Sequence, residues 1–189
     1  MNTGGATTRR LLYLTCLWGL EVSAAPGAFF SCTDYHCDEG RSVTLNAAQW
    51  QAVTSLFADN SSPRTERDQI RAAIALLETQ VGEKTGTWRD LGGNRDGIGL
   101  PGQLDCISES KNTTTYLQLL ENDGLLQWHA VEQRQVRHRF IFNVHWSAVI
   151  REHDSGQRYA VDSWFLDNGE PPYIQPLDDW RSGRRFDTG

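Results

Sequence analysis

A change in the period of the apolar residues near position 124 is the feature that most constrains how this chain can fold. Before it, four apolar residues recur at helical spacings of four, three and four: Ile70, Ile74, Leu77 and Val81. After it, three segments rich in aromatic and β-branched residues predict strands: 125–131, 140–150 and 158–165. Helices followed by closely connected strands predict an α+β fold, in which helices pack on an antiparallel sheet.

Capping residues set the expected bounds of the first two helices. A short helix is expected at 45–57, with Thr44 or Asn46 as its cap. Ser62-Pro63 then supplies a cap and a first-turn proline for a longer helix, which is expected to end near Gly82.

Glycine and turn residues organise the rest of the chain. The glycine-rich segment 85–104 predicts a loop, and a third helix is expected to begin at or just after Cys106 and to stop at Asn122-Asp123-Gly124. Asp154-Ser155-Gly156 predicts the turn between the last two strands. The polar tail after Trp180 is expected to lie at an edge or to be disordered.

The first 24 residues have the pattern of a secretory signal. Arg9-Arg10 precedes an apolar run at 11–20, and Val22-Ser23-Ala24 offers a cleavage site. We therefore predict a signal peptide at 1–24 and a single domain at 25–189, located in the periplasm or outside the cell. The alternative is that the first segment is an N-terminal core helix.

Charge and hydropathy limit the partners of the mature chain. Glu21 ends the apolar run before it reaches the ~20 residues that a membrane span needs, so no span is expected in the mature chain. The formal net charge is −6, and removing Arg9 and Arg10 with the leader makes it more negative. Lysine and arginine form no clusters, which argues against binding to nucleic acid.

Cysteine usage indicates one thiol left over after export. Without Cys16 of the leader, three cysteines remain, and Cys32 and Cys37 are close enough to close a small disulfide loop. Cys106 would then be unpaired. Two alternatives stay open: Cys106 pairs with one of the others, or it is a buried structural thiol. Cys32, His36 and Cys37 are also close enough to supply three zinc ligands, with no fourth ligand evident.

The position of Cys106 suits a nucleophile. A cysteine reacts as its thiolate, and both a helix N-terminus and a neighbouring imidazolium favour that form. The expected helix start at Cys106 supplies the first of these, and a histidine from elsewhere in the fold must supply the second.

His145 is the histidine that the sequence singles out. It interrupts a strongly apolar strand, and Asp162 lies within the next apolar strand, so each needs a polar partner if buried. The other histidines are less suited to this role: His36 lies in a loop, His138 in a charged connection at 134–139, and His153 in a turn.

The length of the turn between the two strands decides whether His145 and Asp162 can meet. A two-residue turn at Asp154-Ser155 sets His145 opposite Trp164 with Asp162 on the same face, whereas a three-residue turn places His145 and Asp162 on opposite faces unless a bulge intervenes.

These residues define a hypothetical catalytic triad. Cys106 would attack a carbonyl carbon, His145 would transfer the proton, and Asp162 would fix the imidazole tautomer. The backbone N–H of Cys106, with Gln103 as a weaker second donor, would bind the oxyanion. Two tryptophans adjoin the pair, Trp146 and Trp164, and strand alternation allows them either to wall a substrate cleft or to fill the core.

The order Cys106, His145, Asp162, with separations of 39 and 17 residues, resembles the transglutaminase-like superfamily. The matching pieces are 102–106 (Gly-Gln-Leu-Asp-Cys) leading into a helix, His145 followed by an apolar strand, and Asp162 on the following strand. The resemblance covers residues 65–165 and is strongest to bacterial periplasmic transglutaminase-like cysteine proteases, including those that trim cell-surface adhesins. It implies a papain-like fold with the cysteine-bearing helix packed on an antiparallel sheet.

The resemblance also bears on cofactors and reaction. In the adhesin-trimming proteases, acidic residues beside the cysteine help to bind calcium; here Asp105 matches and Ile107 replaces the next acid, so we expect no cofactor, with calcium as the alternative. The implied activity is a cysteine peptidase or amidase acting on a protein or peptide of the cell envelope. The alternatives are a transglutaminase or other acyltransferase with the same triad, and a non-catalytic binding domain.

Overall fold

The computed structural model describes residues 24–59, 61–139 and 143–184, together with Met1 and Phe186. The expected signal peptide at 1–24 therefore lies almost entirely outside the described residues. The helices are α1 (Ala47–Thr54), α2 (Pro63–Thr85), α3 (Cys106–Asn122) and α4 (Leu177–Ser182). The strands are β1 (Phe29–Cys32), β2 (Gly40–Val43), β3 (His129–Arg139), β4 (Asn143–Glu152), β5 (Arg158–Asp162) and β6 (Tyr173–Pro176).

Two antiparallel sheets and the helices confirm the α+β prediction. The larger sheet has the order β3-β4-β5-β6, and β1 pairs with β2 in a separate two-stranded sheet. Helix α3 packs against β1, β3 and β4, and α2 packs against α3. Among the described residues, no helix is both long and apolar enough to cross a membrane.

The alternation of side chains along β4 separates two apolar layers. Ala148 and Ile150 face the main core, which includes the predicted helical stripe, whereas Val149 faces a smaller cluster beneath α4. The residues of the stripe are fully buried: Ile70, Ile74, Leu77 and Val81. Burying aliphatic side chains of this size contributes about 1.5–3 kcal/mol each, so these layers fix α2, α3 and α4 against the sheet.

Local signals predicted the caps of α1 and α2 and the end of α3, whereas the expected end of α2 was wrong. Asn46 forms a capping box with Gln49, and Ser62 caps α2 through the N–H of Thr65. Helix α2 continues past Gly82, the expected end, and stops at Gly86, whose φ of 93° requires glycine. Gly82 lies inside the helix, where the Cβ atom of a larger residue would approach the Trp88 backbone to within 3 Å.

The carboxy-terminal third differs from the prediction in several places. Residues 134–139, expected to form a charged connection, belong to β3, and residues 125–128, expected to be strand, precede it. β6 and α4 were not predicted. Phe186 of the polar tail stacks on Tyr173 with ring centroids 4.0 Å apart, so this part of the tail packs on the domain.

Candidate active site

Cys106 is the first residue of α3, and its thiol is partly exposed and outside any disulfide. Asp105 caps the helix by accepting the Ser108 N–H at 2.9 Å. The first N–H groups of a helix lack partners within it, and in the described part of the chain no hydrogen bond engages the Cys106 N–H. The sulfur and a backbone donor therefore lie together at the positive end of a helix.

His145 and Asp162 form a buried pair. Nε2 of His145 lies 2.7 Å from Oδ2 of Asp162, and the two residues are 4% and 2% exposed. The β4–β5 register pairs Ala148 with Val161, so Asp162 lies opposite Ser147, two residues from His145 and on the same face. This is the register that the expected turn requires, although the connecting loop has four residues, 153–156, closed by a bond from the Glu152 N–H to the Gln157 carbonyl.

The electrostatics of His145 join this pair to Cys106. Burial alone would lower the pKa of His145, but hydrogen bonds and charge from Asp162 and Cys106 outweigh it and raise the pKa to about 9. Asp162 occupies Nε2, so Nδ1 is the ring nitrogen left to face Cys106. β5 ends at Asp162, two residues before residue 164, which would pair with His145 if the strand continued. The fold thus brings Cys106, His145 and Asp162 together.

Trp180 is a fourth member of the arrangement that the sequence did not reveal. It is fully buried on α4, and its indole N–H donates to Oδ2 of Asp162 at 2.7 Å. The same oxygen therefore contacts both His145 and Trp180. No local pattern links Asp162 to a tryptophan 18 residues later, so spacing alone could not have found it.

Trp164 lies beside the imidazole, with ring centroids 5.1 Å apart. Its indole nitrogen is buried and, among the described residues, has no hydrogen-bond partner. A buried donor without a partner costs about 1–3 kcal/mol. Trp164 is partly buried, and its role in a substrate cleft stays a prediction.

Trp146 points to the opposite side of β4 from His145. It lines a cavity of about 500 Å³ with residues of α3 and β3, and the guanidinium carbon of Arg134 lies 4.9 Å from its ring centroid. Trp146 is only partly buried, so it borders a surface cavity instead of filling the core.

Gln103 is engaged within the loop that leads to Cys106. Its Nε2 donates to the Arg89 carbonyl, and its Oε1 accepts from Asn94 Nδ2 at 2.7 Å and from the Leu91 N–H at 3.4 Å. Gln103 is also buried. Its amide therefore holds the loop in shape and is not directed at a substrate.

Three buried carboxyl groups form a cluster: one lies on α2, one in the loop that precedes Cys106, and one on α3. Burial raises the pKa of Glu78 to about 7 and that of Asp90 to about 6, and it raises the pKa of Glu109 well above its ordinary value. Glu109 shares a hydrogen bond with Asp90, which also accepts the Leu104 N–H at 2.8 Å. The cluster therefore ties the loop before Cys106 to the first turns of α3.

The disulfide between Cys32 and Cys37 is present, with the two Cα atoms 4.9 Å apart. It overturns the zinc hypothesis, because both cysteines are bonded to each other. Asn112 on α3 accepts the Cys32 N–H at 2.8 Å and donates to the Cys32 carbonyl at 3.1 Å, which docks the disulfide loop (residues 32–37) on the helix. His36, in this loop, is exposed and places Nδ1 3.5 Å from Oδ2 of Asp105.

A second buried histidine pairs with an acid away from the thiol. His129 Nδ1 lies 2.8 Å from Oε1 of Glu66, and its Nε2 lies 3.2 Å from Arg67. Glu66 also accepts the N–H groups of Gln127 and Trp128. Both ring nitrogens of His129 face charged residues that hold the start of β3, which indicates a structural role.

Asp105 is the acidic residue that matches the calcium-binding pattern of the adhesin-trimming proteases. In this structure it caps α3, and its carboxylate faces His36. Within the described ranges, no group of three or more His, Cys, Asp or Glu residues is arranged to hold a metal ion. Comparison of the chain with protein-family models, curated proteins and solved structures finds no match.

Proposed function

We propose that this chain is an exported cysteine hydrolase of the transglutaminase-like class, a peptidase or amidase that cleaves an amide bond in a protein or peptide of the cell envelope. The observation that carries the proposal is the placement of a free thiol at the start of α3 beside an imidazole that Asp162 holds at 2.7 Å. The Cys32–Cys37 disulfide supports an oxidising compartment.

The reaction begins with the Cys106 thiolate beside protonated His145. The sulfur attacks the carbonyl carbon, and His145 gives its proton to the leaving amine, which forms an acyl-enzyme thioester. Water then attacks the thioester carbonyl and gives one proton to His145. The carbon–sulfur bond breaks, which releases the carboxylic acid product and restores the Cys106 thiolate beside protonated His145. A pKa of about 9 keeps His145 protonated at neutral pH, as the first step requires.

Two donors are proposed for the oxyanion. The Cys106 N–H is the first, because it lies at the helix start next to the attacking sulfur. The indole N–H of Trp164 is the second, in place of Gln103, because it is a donor without a partner in the described part of the chain and its ring adjoins His145. No step is assigned to a metal ion.

The experiment compares purified wild-type protein with Cys106→Ala on an extract of envelope proteins, with Asn122→Ala at the far end of α3 as the matched control. New peptide termini formed by the wild type and by Asn122→Ala, and lost in Cys106→Ala, are the expected result. Isopeptide cross-links that the wild type forms and Cys106→Ala does not, without new peptide termini, would assign acyl transfer instead.

A labelling experiment separates inactivity from a missing substrate. Iodoacetamide should modify Cys106 at neutral pH faster than it modifies a model thiol, because the neighbouring imidazolium favours the thiolate. Labelling no faster than the model thiol, together with unchanged termini, would reject the enzyme proposal and favour a binding domain.

A further inference from the structure

Arg134 on β3 reaches the amino-terminal end of the catalytic helix. Its Nη1 donates to the Ile107 carbonyl at 3.3 Å and to Ser110 Oγ at 2.8 Å, while its guanidinium stacks on Trp146. These contacts hold the guanidinium in one place, next to the residue that follows Cys106. A planar cation fixed in this way is preorganised for a planar anion.

The remaining donors of Arg134 have no anionic partner among the described residues. In the described part of the chain, Arg134 forms no ion pair, and no hydrogen bond engages its Nε or Nη2. Burial lowers the pKa of Arg134, and the nearby Cys106 opposes that effect. A partly buried cation without an anion is unfavourable, so an anionic ligand would be stabilised there.

The cavity on one side of Arg134 is suited to such a ligand. It measures about 410 Å³ and lies between α3 and the disulfide loop. Its charged lining residues are Arg134 and Lys111, with Thr114 and Thr115 among the neutral ones and no carboxylate. Lys111 is anchored by donating to the His36 carbonyl at 3.2 Å.

The carboxylates on the other side of Arg134 are already used. Glu132 pairs with Arg151 at 3.1 Å and Arg158 at 2.6 Å, and Glu121 accepts the Val131 N–H at 2.7 Å. They line the cavity beside Trp146 without pairing with Arg134. Within the described ranges, no carboxylate therefore pairs with the guanidinium of Arg134, which leaves its free donors for a ligand.

We propose that Arg134, assisted by Lys111, binds a carboxylate of the substrate close to the amide bond that Cys106 attacks. This proposal rests on the proposed function and names its substrate class: peptides with an acidic side chain near the scissile bond, or with a carboxylate at their terminus. A guanidinium fork binds either group through two parallel hydrogen bonds.

The test uses three bromoacetyl reagents that alkylate a thiol and differ in one group. N-bromoacetyl-glutamine amide is neutral, N-bromoacetyl-glutamate α-amide carries a side-chain carboxylate, and N-bromoacetyl-glutamine carries a terminal one. The second-order rate at Cys106 is measured by mass spectrometry for the wild type, Arg134→Gln and the control Arg89→Gln. Arg89 is exposed and stacks on Trp88, so its loss changes net charge equally.

The expected result is that one anionic reagent reacts roughly fivefold to tenfold faster than the neutral reagent in the wild type and Arg89→Gln, but not in Arg134→Gln. Which anionic reagent is preferred distinguishes the side-chain from the terminal carboxylate. The ratio is taken within one variant, so a general change in thiol reactivity cancels. Arg134→Lys, which keeps the charge and loses the fork, should show an intermediate ratio.

Equal rates for all three reagents in the wild type would overturn the proposal, as would a preference that survives in Arg134→Gln. The outcome is separate from that of the proposed function. Slow alkylation by every reagent contradicts the nucleophile, whereas fast alkylation without discrimination contradicts only the role of Arg134.

Discussion

The indole nitrogen of Trp180 lies 2.7 Å from Oδ2 of Asp162, the same oxygen that Nε2 of His145 contacts. Two donors, one on β4 and the other on α4, therefore hold one carboxylate oxygen. Asp162 can orient the imidazole only if it is itself held, and Trp180, on the buried face of α4, supplies that support. The proposed catalytic arrangement consequently extends beyond the triad into a part of the chain with no sequence signal.

Replacing Trp180 by Phe removes the indole donor and keeps most of the buried ring. We expect the unfolding free energy to fall by about 1 kcal/mol and kcat/KM to fall roughly tenfold, because Asp162 loses one of its two restraints. Trp88→Phe, at an exposed tryptophan, is the control. Turnover equal to that of the wild type would show that His145 alone positions Asp162.

Asp162→Asn should lower the pKa of His145 from about 9, because it removes the charge and the strong acceptor at Nε2. NMR titration of the imidazole measures this directly, and Asp154→Asn in the exposed turn is the matched control. Since the folded pKa of His145 is raised, its contribution to stability is fully present below about pH 6.5 and is lost as the pH rises through about 9. An unchanged titration midpoint in Asp162→Asn would contradict the pairing.

Trp164→Phe keeps the ring beside His145 and removes the indole donor. We expect kcat to fall about tenfold while stability is unchanged or rises by up to ~1 kcal/mol, because the lost N–H has no partner among the described residues. The measurements are kcat and a urea denaturation curve. A variant that loses stability and retains kcat would exclude Trp164 from the oxyanion site.

The buried carboxyl cluster predicts that stability falls as the pH rises. The folded pKa values of Glu78 and Asp90, about 7 and about 6, lie above their ordinary values of 4.5 and 3.8. Their contribution is therefore fully present below about pH 4 and is lost progressively up to about pH 7. Glu78→Gln should reduce this loss by roughly 1–3 kcal/mol in urea denaturation curves, whereas Glu83→Gln, exposed on the same helix, should not. Identical pH profiles for Glu78→Gln and the wild type would exclude Glu78 as the source.

Asn112→Ala leaves the N–H and the carbonyl of Cys32 without their side-chain partner. Because both backbone groups are buried there, we expect the unfolding free energy to fall by roughly 2 kcal/mol. Thermal denaturation of this variant beside Asn122→Ala, an exposed asparagine of the same helix, is the measurement. A Tm equal to that of the control would mean that the disulfide loop is held by other contacts.

The parts of the site that the sequence predicted are those with local causes. The start of α3 follows from its cap and the preceding glycine-rich loop, and the shared face of His145 and Asp162 follows from the parity of one hairpin. The Cys32–Cys37 bond closes across four residues. In each case the information lies within about 20 residues of the chain.

The parts that the sequence missed are tertiary. Among residues 134–138 of this strand, Val136 is the only apolar one and all five are partly buried or exposed, so no apolar face marks the segment as a strand. The burial of Trp180 depends on β5 and on α4, and the raised pKa of Glu109 depends on groups from α2 and the loop before α3. Such relationships arise only when distant segments meet.

The four-residue loop at 153–156 has a consequence for how the length of this protein can vary. Inserting or deleting one residue there would place Val161 or Ser163, instead of Asp162, on the side of β5 that His145 occupies, whereas a change of two residues would preserve the pairing after a shift along the strand. Functional variants of this loop should therefore contain an even number of residues.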